Sequence, residues 1–223
     1  MYRNVITVLS GPAALRKKSV LFPDFENFSD HHRSALDDLK DTFEVLQGYG
    51  LALPQIGIAK RALIVNFSAM GLEGHGTSTV MINPKIEVSG DAQRGEESCF
   101  SVPHISAKVS RYSSALVEYT SEFDEKCKVE LHGFPAVCLQ HEVDHLDGLT
   151  YLNRIPHVSR SILVKKMRKI DKRIKDHERT AKEEFEKEHR EIMGLAVKTS
   201  KTGYSKKRKP KARKKRLSKS KKK

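Results

Sequence analysis

The chain has 223 residues, of which 38% are hydrophobic, and a formal net charge of +14. A chain of this length can bury one sizeable core and little more. No apolar run approaches the roughly 18 residues of a membrane span, so we expect no membrane-spanning segment. The three cysteines, Cys99, Cys127 and Cys138, are an odd number without a secretory signal, which predicts reduced thiols rather than a disulfide framework.

The positive charge lies at the C-terminal end. From Lys198 to Lys223 the chain has 15 Lys and Arg residues and no acid, so the remainder carries a net charge of −1. A lysine-rich segment with so few apolar residues cannot form a core and is typical of disorder. We therefore predict a globular domain over residues 1–158, a long charged helix over 159–194 and a disordered polybasic tail over 195–223.

The predicted elements begin with a helix over residues 30–46. Its apolar face repeats at steps of three and four residues and is formed by Leu36, Leu39, Phe43 and Leu46. Apolar runs bounded by polar or Gly-containing turns predict strands at residues 62–67, 80–88, 115–119 and 126–131. From Pro135 to Leu146 the chain is mostly apolar, which predicts a buried helix. These elements predict an α+β fold in which small antiparallel or mixed sheets wrap around that central helix.

A long third helix is predicted after Pro156. Its first half has an apolar stripe that can pack on the globular domain, formed by Leu163, Met167, Ile170 and Ile174. Residues 175–191 are almost entirely charged, with acids and bases interleaved as i,i+4 partners. We expect this second half to face solvent or to lie on a partner.

The central helix carries the pattern with the clearest chemistry, His141-Glu142-Val143-Asp144-His145. Positions i and i+4 lie on one face of a helix, so both imidazoles can hold one metal ion while the glutamate reaches a water molecule on that ion. Taken alone, the pattern is equally compatible with two core histidines and a buried structural carboxylate. The surrounding sequence has to decide between these interpretations.

A catalytic metal usually needs a third protein ligand. Candidates downstream of the motif lie in polar, peripheral segments: His157, Glu178, the acids from Glu183 onward and His189. Upstream, Cys99 lies in a short loop-like stretch, and a thiolate is a strong ligand for late first-row metals. Cys99 is the better candidate, while a buried cysteine without a role stays the alternative.

With Cys99 placed upstream of the histidine motif, the chain resembles the peptide deformylases. That family has three ordered motifs, G-h-G-h-A-A-x-Q, E-G-C-L-S and Q-H-E-x-D-H-L-x-G, where h is apolar. This chain has Gly48-Tyr49-Gly50-Leu51-Ala52-Leu53-Pro54-Gln55, then Glu97-Ser98-Cys99-Phe100-Ser101, then Gln140-His141-Glu142-Val143-Asp144-His145-Leu146-Asp147-Gly148. The resemblance covers about residues 3–156.

Three positions depart from the family pattern. Leu53 replaces an alanine, and its added bulk is expected to overpack the region behind Gln55 by about 1–3 kcal/mol unless neighbouring side chains are smaller. Ser98 replaces a glycine, which removes freedom at positive φ, and Phe100 replaces a leucine. None of the three removes a side chain that does chemistry, but they leave reduced or altered activity open.

The resemblance implies a hydrolase that removes the N-formyl group from the initiator methionine of nascent chains. The implied ion is Fe²⁺, or alternatively Zn²⁺, and its implied ligands are Cys99, His141 and His145. Glu142 would transfer the proton, while the Gln55 side-chain amide and the backbone N–H of Phe100 would stabilise the oxyanion.

The same resemblance implies where the substrate binds. The methionine side chain would enter an apolar pocket lined by Tyr49, Gly50, Phe134, Val137 and Cys138. Asp144 is expected to orient a neighbouring residue such as Arg111 rather than to bind metal.

The polybasic tail is compatible with three functions: a solubilising segment, a nuclear-localisation patch, or an arm that contacts RNA phosphates. Bacterial deformylases dock a C-terminal helix on the ribosome, which favours the third. We therefore expect contact with the ribosome and its rRNA through the C-terminal helix and the tail, and no membrane partner. The tail residues concerned are Lys206, Lys207, Arg208, Lys209, Lys211, Arg213, Lys214, Lys215 and Arg216.

Two hypotheses about function follow. The first is an active deformylase tethered to the ribosome, and the second is a deformylase-fold ribosome-associated factor with reduced or lost catalysis. The intact Gln55, Cys99 and Glu142 favour the first hypothesis. A third option, a zinc endopeptidase, is disfavoured because this chain has no suitable third metal ligand downstream of His145. No leader peptide is visible before Pro12, which favours the bacterial cytoplasm. A mature protein of the mitochondrial or plastid matrix would look the same.

Overall fold

The computed structural model of the chain describes residues 1–11, 13–72 and 78–192. The described residues divide into two units, Met1–Lys175 and a second unit that begins at Asp176. The predicted polybasic tail lies outside the described residues. Within the described ranges, no helix combines the length and the apolar composition needed to cross a membrane.

The first unit contains a five-stranded antiparallel sheet. Its strands are β1 (Gly50–Ala52), β2 (Ala62–Val65), β3 (Thr79–Cys99), β4 (Val102–Thr120) and β5 (Lys126–His132). Strands that follow one another in the chain are also neighbours in the sheet, in the order β1-β2-β3-β4-β5. Each pair is antiparallel, so short connections suffice between them.

The hairpin of β3 and β4 is much longer than the sequence predicts. Strand β3 continues to Cys99 and β4 begins at Val102, and these two residues pair with each other. Phe100 and Ser101 form the turn between them. The predicted loop-like stretch at residues 97–101 is therefore wrong for residues 97–99, which are strand, whereas residues 100–101 do form a turn. Residues 87–96 are all exposed, so they lack the apolar alternation that reveals a half-buried strand.

Three α-helices lie in the described residues: α1 (Asp30–Leu46), α2 (Phe134–Leu146) and α3 (His157–Ile192). Helix α1 has the predicted bounds and ends before Gln47, which has a left-handed conformation at φ 50°. Helix α2 is buried at every position from Leu139 to Leu146. The predicted α+β class, with a central motif-bearing helix and a long C-terminal helix, is confirmed.

The sheet is packed between α1 and α2. Along β2, Leu63 and Val65 belong to the core that includes α2, whereas Ala62 and Ile64 belong to the core that includes α1. Successive side chains of a strand point to opposite faces, so this alternation places one helix on each face. The strands thereby hold α2 against one face of the sheet.

The first part of α3 packs on the hairpin end of the first unit. Met167 is buried in a third core with Val102, Val109 and Tyr151, and Leu163 packs against that core. Ile174 is 39% exposed, so the predicted apolar stripe stops packing before it. In the second unit, residues 176–190 are exposed throughout, as their charge pattern predicts.

Candidate metal centre

Three potential metal ligands from two distant segments meet at one point. Helix α2 places the His141 and His145 rings on one face, with ring centroids 5.0 Å apart. Cys99, the last residue of β3, lies with its Sγ 3.3 Å from Nε2 of His145. One ligand atom from each of the three residues lies within 4.8 Å of the others. The predicted ligand set is therefore brought together in space.

Glu97 orients the first histidine. Nδ1 of His141 is 2.7 Å from Oε2 of Glu97, which leaves Nε2 of His141 available for a metal. Glu97 in turn accepts two hydrogen bonds from Arg111, at 2.8 and 3.1 Å. Sequence reasoning assigned Glu97 no role. Its position two residues before Cys99 on a strand is the signal that could have found it, because such residues point to the same face.

Glu97 and His145 have the ionisation states that cation binding requires, whereas His141 must lose a proton before it can bind a metal. Burial alone would raise the pKa of Glu97, but hydrogen bonds from His141 and Arg111 outweigh it and lower the pKa to about 2. Burial and the neighbouring His141 lower the pKa of His145, so that imidazole is neutral. Burial also opposes protonation of His141, but its contacts with Cys99 and Glu97 raise its pKa in the metal-free protein.

Glu142 is a buried carboxyl group beside the three candidate ligands. Burial raises its pKa to about 7, and among the described residues its Oε2 has no hydrogen-bond partner. A buried, unpartnered carboxyl oxygen is costly, which argues against a purely structural role. A Cβ atom on Gly50 would lie only 2.7–2.8 Å from three atoms of the Glu142 side chain. Gly50 therefore provides the space that Glu142 occupies.

Gln55 directs an amide N–H toward the same point. It lies in a short 3-10 helix, Leu53–Ile56, after β1. Its Oε1 accepts the backbone N–H of Ala52 at 2.8 Å, which fixes the orientation of the amide. Its Nε2 then lies 3.4 Å from Oγ of Ser101 and 3.6 Å from Sγ of Cys99. The predicted oxyanion donor is thus close to the proposed ligands.

The structure accommodates the side chains at all three positions that depart from the family pattern. Leu53 is fully buried in the α1-side core with Leu51 and Ile56. Ser98 is an exposed strand residue outside the set with positive φ, so the freedom of a glycine is not needed there. The Phe100 ring lies where a side chain on Gly48 would be, 2.7 Å from the Cβ position.

A cavity of about 1010 Å³ opens over this point. The candidate ligands Cys99 and His141 line it together with Gln55, Phe100 and Glu142, whereas His145 is fully buried behind them. All five predicted substrate-binding residues also line it: Tyr49, Gly50, Phe134, Val137 and Cys138. The rings of Tyr49 and Phe134 meet edge to face at 4.9 Å, and burial raises the pKa of the Cys138 thiol to about 12. The apolar part of the cavity is therefore uncharged.

An α+β fold with two helical histidines, a cysteine and a buried glutamate around one cavity defines the class: a hydrolase with a site that can hold a metal ion. The chain matches the family model described as polypeptide deformylase over residues 5–161. It is 35% identical over 153 residues to a peptide deformylase of Fusobacterium nucleatum, and the aligned residues cover 68% of this chain and 84% of that protein. It is 32% identical over 168 residues to one of Pelagibacter ubique, at 75% and 95% coverage. The chain therefore belongs to the peptide deformylase family.

Solved structures agree with the sequence relatives. The crystal structure of a peptide deformylase from Legionella pneumophila superposes with a TM-score of 0.68 at 27% identity, covering 79% of this chain and 98% of that chain. The actinonin-bound enzyme from Acinetobacter baumannii gives a TM-score of 0.60 at 32% identity, covering 70% and 99%. The predicted family and enzyme class are confirmed.

Proposed function

We propose that this chain removes the N-formyl group from the formyl-methionine of nascent polypeptides, with a divalent ion held by Cys99, His141 and His145. The observation that carries this is the convergence of the three ligand atoms within 4.8 Å beside the buried Glu142. A bound ion would act as a Lewis acid and lower the pKa of a water molecule. One thiolate with two imidazoles suits Fe²⁺, as the family resemblance implies, or alternatively Zn²⁺.

Glu142 is the proton carrier in this proposal. Its carboxylate takes a proton from the water as the C–O bond forms at the formyl carbon. It then gives that proton to the amine nitrogen as the C–N bond breaks, which releases formate and a free amino terminus. In the metal-free protein burial raises the pKa of Glu142 to about 7, which shows that this site holds its proton more firmly than a carboxyl group in water does and can pass it on.

Gln55 and Phe100 stabilise the charge that develops on the formyl oxygen. The Nε2 of Gln55 is held toward Cys99 by the Ala52 bond to its Oε1. The backbone N–H of Phe100 follows Cys99 directly in the hairpin turn. Donors fixed before the reaction need no reorganisation when the charge appears. The methionine side chain enters the apolar part of the cavity between Tyr49 and Phe134.

The proposed ribosome contact is supported by charge on the described part of α3. Within residues 165–175 all seven basic residues are exposed, and the one acid, Asp171, is partly buried. The exposed basic residues are Lys165, Lys166, Arg168, Lys169, Lys172, Arg173 and Lys175. Such a stretch attracts phosphates. We propose that it acts with the polybasic tail on rRNA, in the cytoplasm of a bacterial cell.

The activity is tested by formate release from a formyl-methionyl peptide. Protein purified without oxygen and loaded with Fe²⁺ should turn over, and Glu142→Ala should abolish turnover while metal stays bound. A metal-loaded wild-type protein without turnover would instead support the second hypothesis, a ribosome-associated factor that has lost catalysis.

The ribosome contact is tested by co-sedimentation with purified ribosomes at low and high salt. We expect binding that weakens as salt rises, because phosphate contacts release counterions. Deletion of residues 198–223 should weaken it further. Binding that is unchanged by the deletion would refute a role for the tail.

A further inference from the structure

Asp144 lies between two arginines on the buried side of the metal centre. Its side chain is 5% exposed and accepts a hydrogen bond from Nη1 of Arg111 at 2.6 Å. Arg154 donates from Nε to the same oxygen at 3.0 Å and from Nη2 to the other carboxylate oxygen. Both oxygens of Asp144 are thus held by guanidinium groups.

These contacts form one continuous chain of alternating charge. Arg154 binds Asp144, Asp144 binds Arg111, Arg111 binds Glu97, and Glu97 binds Nδ1 of His141. Arg111 is only 3% exposed, so its guanidinium is divided between the two carboxylates without competition from bulk water. The side chain of Arg154 is 46% exposed and stands at the outer end of the chain.

We propose that Arg154 is a positioning residue of the metal centre. Because Arg154 holds both oxygens of Asp144, Arg111 gives Asp144 one hydrogen bond and keeps two on Glu97. Two bonds from a planar guanidinium fix the carboxylate of Glu97, and that carboxylate fixes the ring plane and tautomer of His141. This inference rests on the proposed metal site and adds to it a residue that does not line the cavity.

Loss of Arg154 redistributes these bonds. One oxygen of the buried Asp144 loses its partner, and the guanidinium of Arg111 turns toward Asp144 because an unpaired buried carboxylate is costly. Glu97 then keeps fewer bonds, and the His141 ring is held less firmly. Side chains that orient metal ligands typically change metal affinity 10–100-fold, so we expect the lower end for a half-exposed residue at the far end of the chain.

The experiment measures Zn²⁺ release from the full-length protein to a chromogenic chelator. Arg154→Met should release Zn²⁺ about tenfold faster than the wild type, and Arg154→Lys should restore part of the loss because it keeps the charge. With metal saturating, Arg154→Met should lower kcat and leave KM for a formyl-methionyl peptide unchanged.

Arg61→Met is the matched control. Arg61 binds Asp147 at 2.7 Å, three residues beyond Asp144, but has no bond to Arg111, Glu97 or His141. This variant should release Zn²⁺ like the wild type. Equal release rates in Arg154→Met and wild type, or equally fast release from Arg61→Met, would overturn the positioning role alone. Failure of the wild type to bind Zn²⁺ or Fe²⁺ would refute the metal centre itself, and this role with it.

Discussion

Substitution of Gly50 by alanine should impair catalysis without unfolding the protein. Gly50 lies in β1, and its φ is not positive, so alanine fits the backbone. The added Cβ would lie 2.7 Å from Cγ of Glu142 and 2.8 Å from its Cδ and Oε1. Since ordinary contact begins at 3.4 Å, the Glu142 side chain must move by about 0.7 Å.

A displacement of this size is large for a group that transfers a proton. Misplacement of a reacting group by about 1 Å can cost on the order of 100-fold in rate. We therefore expect Gly50→Ala to lower kcat by about 10- to 100-fold, with the melting temperature little changed. Formate release from a formyl-methionyl peptide measures the rate, and thermal unfolding measures the stability.

Gly95→Ala provides a control in the same cavity. A Cβ atom on Gly95 would meet nothing within 4 Å. This variant should keep its kcat, which separates the specific contact with Glu142 from a general effect of glycine replacement. Wild-type kcat in Gly50→Ala would show that Glu142 does not have to occupy its present position for catalysis.

Three further predictions concern neighbouring residues. Gln55→Glu keeps the oxygen that accepts the Ala52 N–H but removes the side-chain N–H donor. We expect kcat to fall about 10²–10³-fold in the formate assay. A loss below tenfold would contradict the oxyanion role. Leu53→Ala should destabilise the fold by about 2–5 kcal/mol in urea unfolding, because Leu53 is fully buried; stabilisation would instead reveal overpacking. In the metal-free protein, the pKa of Glu97 is about 2 rather than 4.5. The ionised carboxylate therefore stabilises the fold by about 3 kcal/mol above pH 4.5. This stabilisation is lost as the pH falls from 4.5 toward 2. Glu97→Gln should flatten the dependence of the unfolding free energy on pH over that window.

The arrangement of α2 follows from local sequence. The i and i+4 spacing fixes both histidines on one face once the segment is helical, and the apolar residues around them require burial. The match between Cys99 and that helix does not follow from spacing, because 46 residues separate Cys99 from His145. The chemistry of a thiolate makes Cys99 the better candidate for the third ligand, the three-motif resemblance implies that role, and the structure brings its Sγ to the helix.

The supporting contacts were harder to predict. Arg111 of β4 pairs with Gln93 of β3, yet its side chain reaches diagonally to Glu97. The pairing of β3 with β4 is irregular on either side of this stretch, between residues 89 and 92 and between 97 and 99. The exposed polar middle of the hairpin has no alternation from which the register could be derived. Arg154 joins the network from the segment before α3, where nothing in the local pattern distinguishes it from the other basic residues. The roles of the site residues and of the tail stay predictions.

The separation of the proposed ligands along the chain links metal supply to the lifetime of the protein. The tip of the hairpin contributes the thiolate and the helix contributes both imidazoles, so the complete ligand set exists only in the folded chain. An ion that binds only the folded state stabilises it by mass action, by about 4 kcal/mol when its free concentration is a thousandfold above Kd. A cell short of that ion would therefore hold fewer molecules as well as less active ones, since unfolded chains are open to proteases.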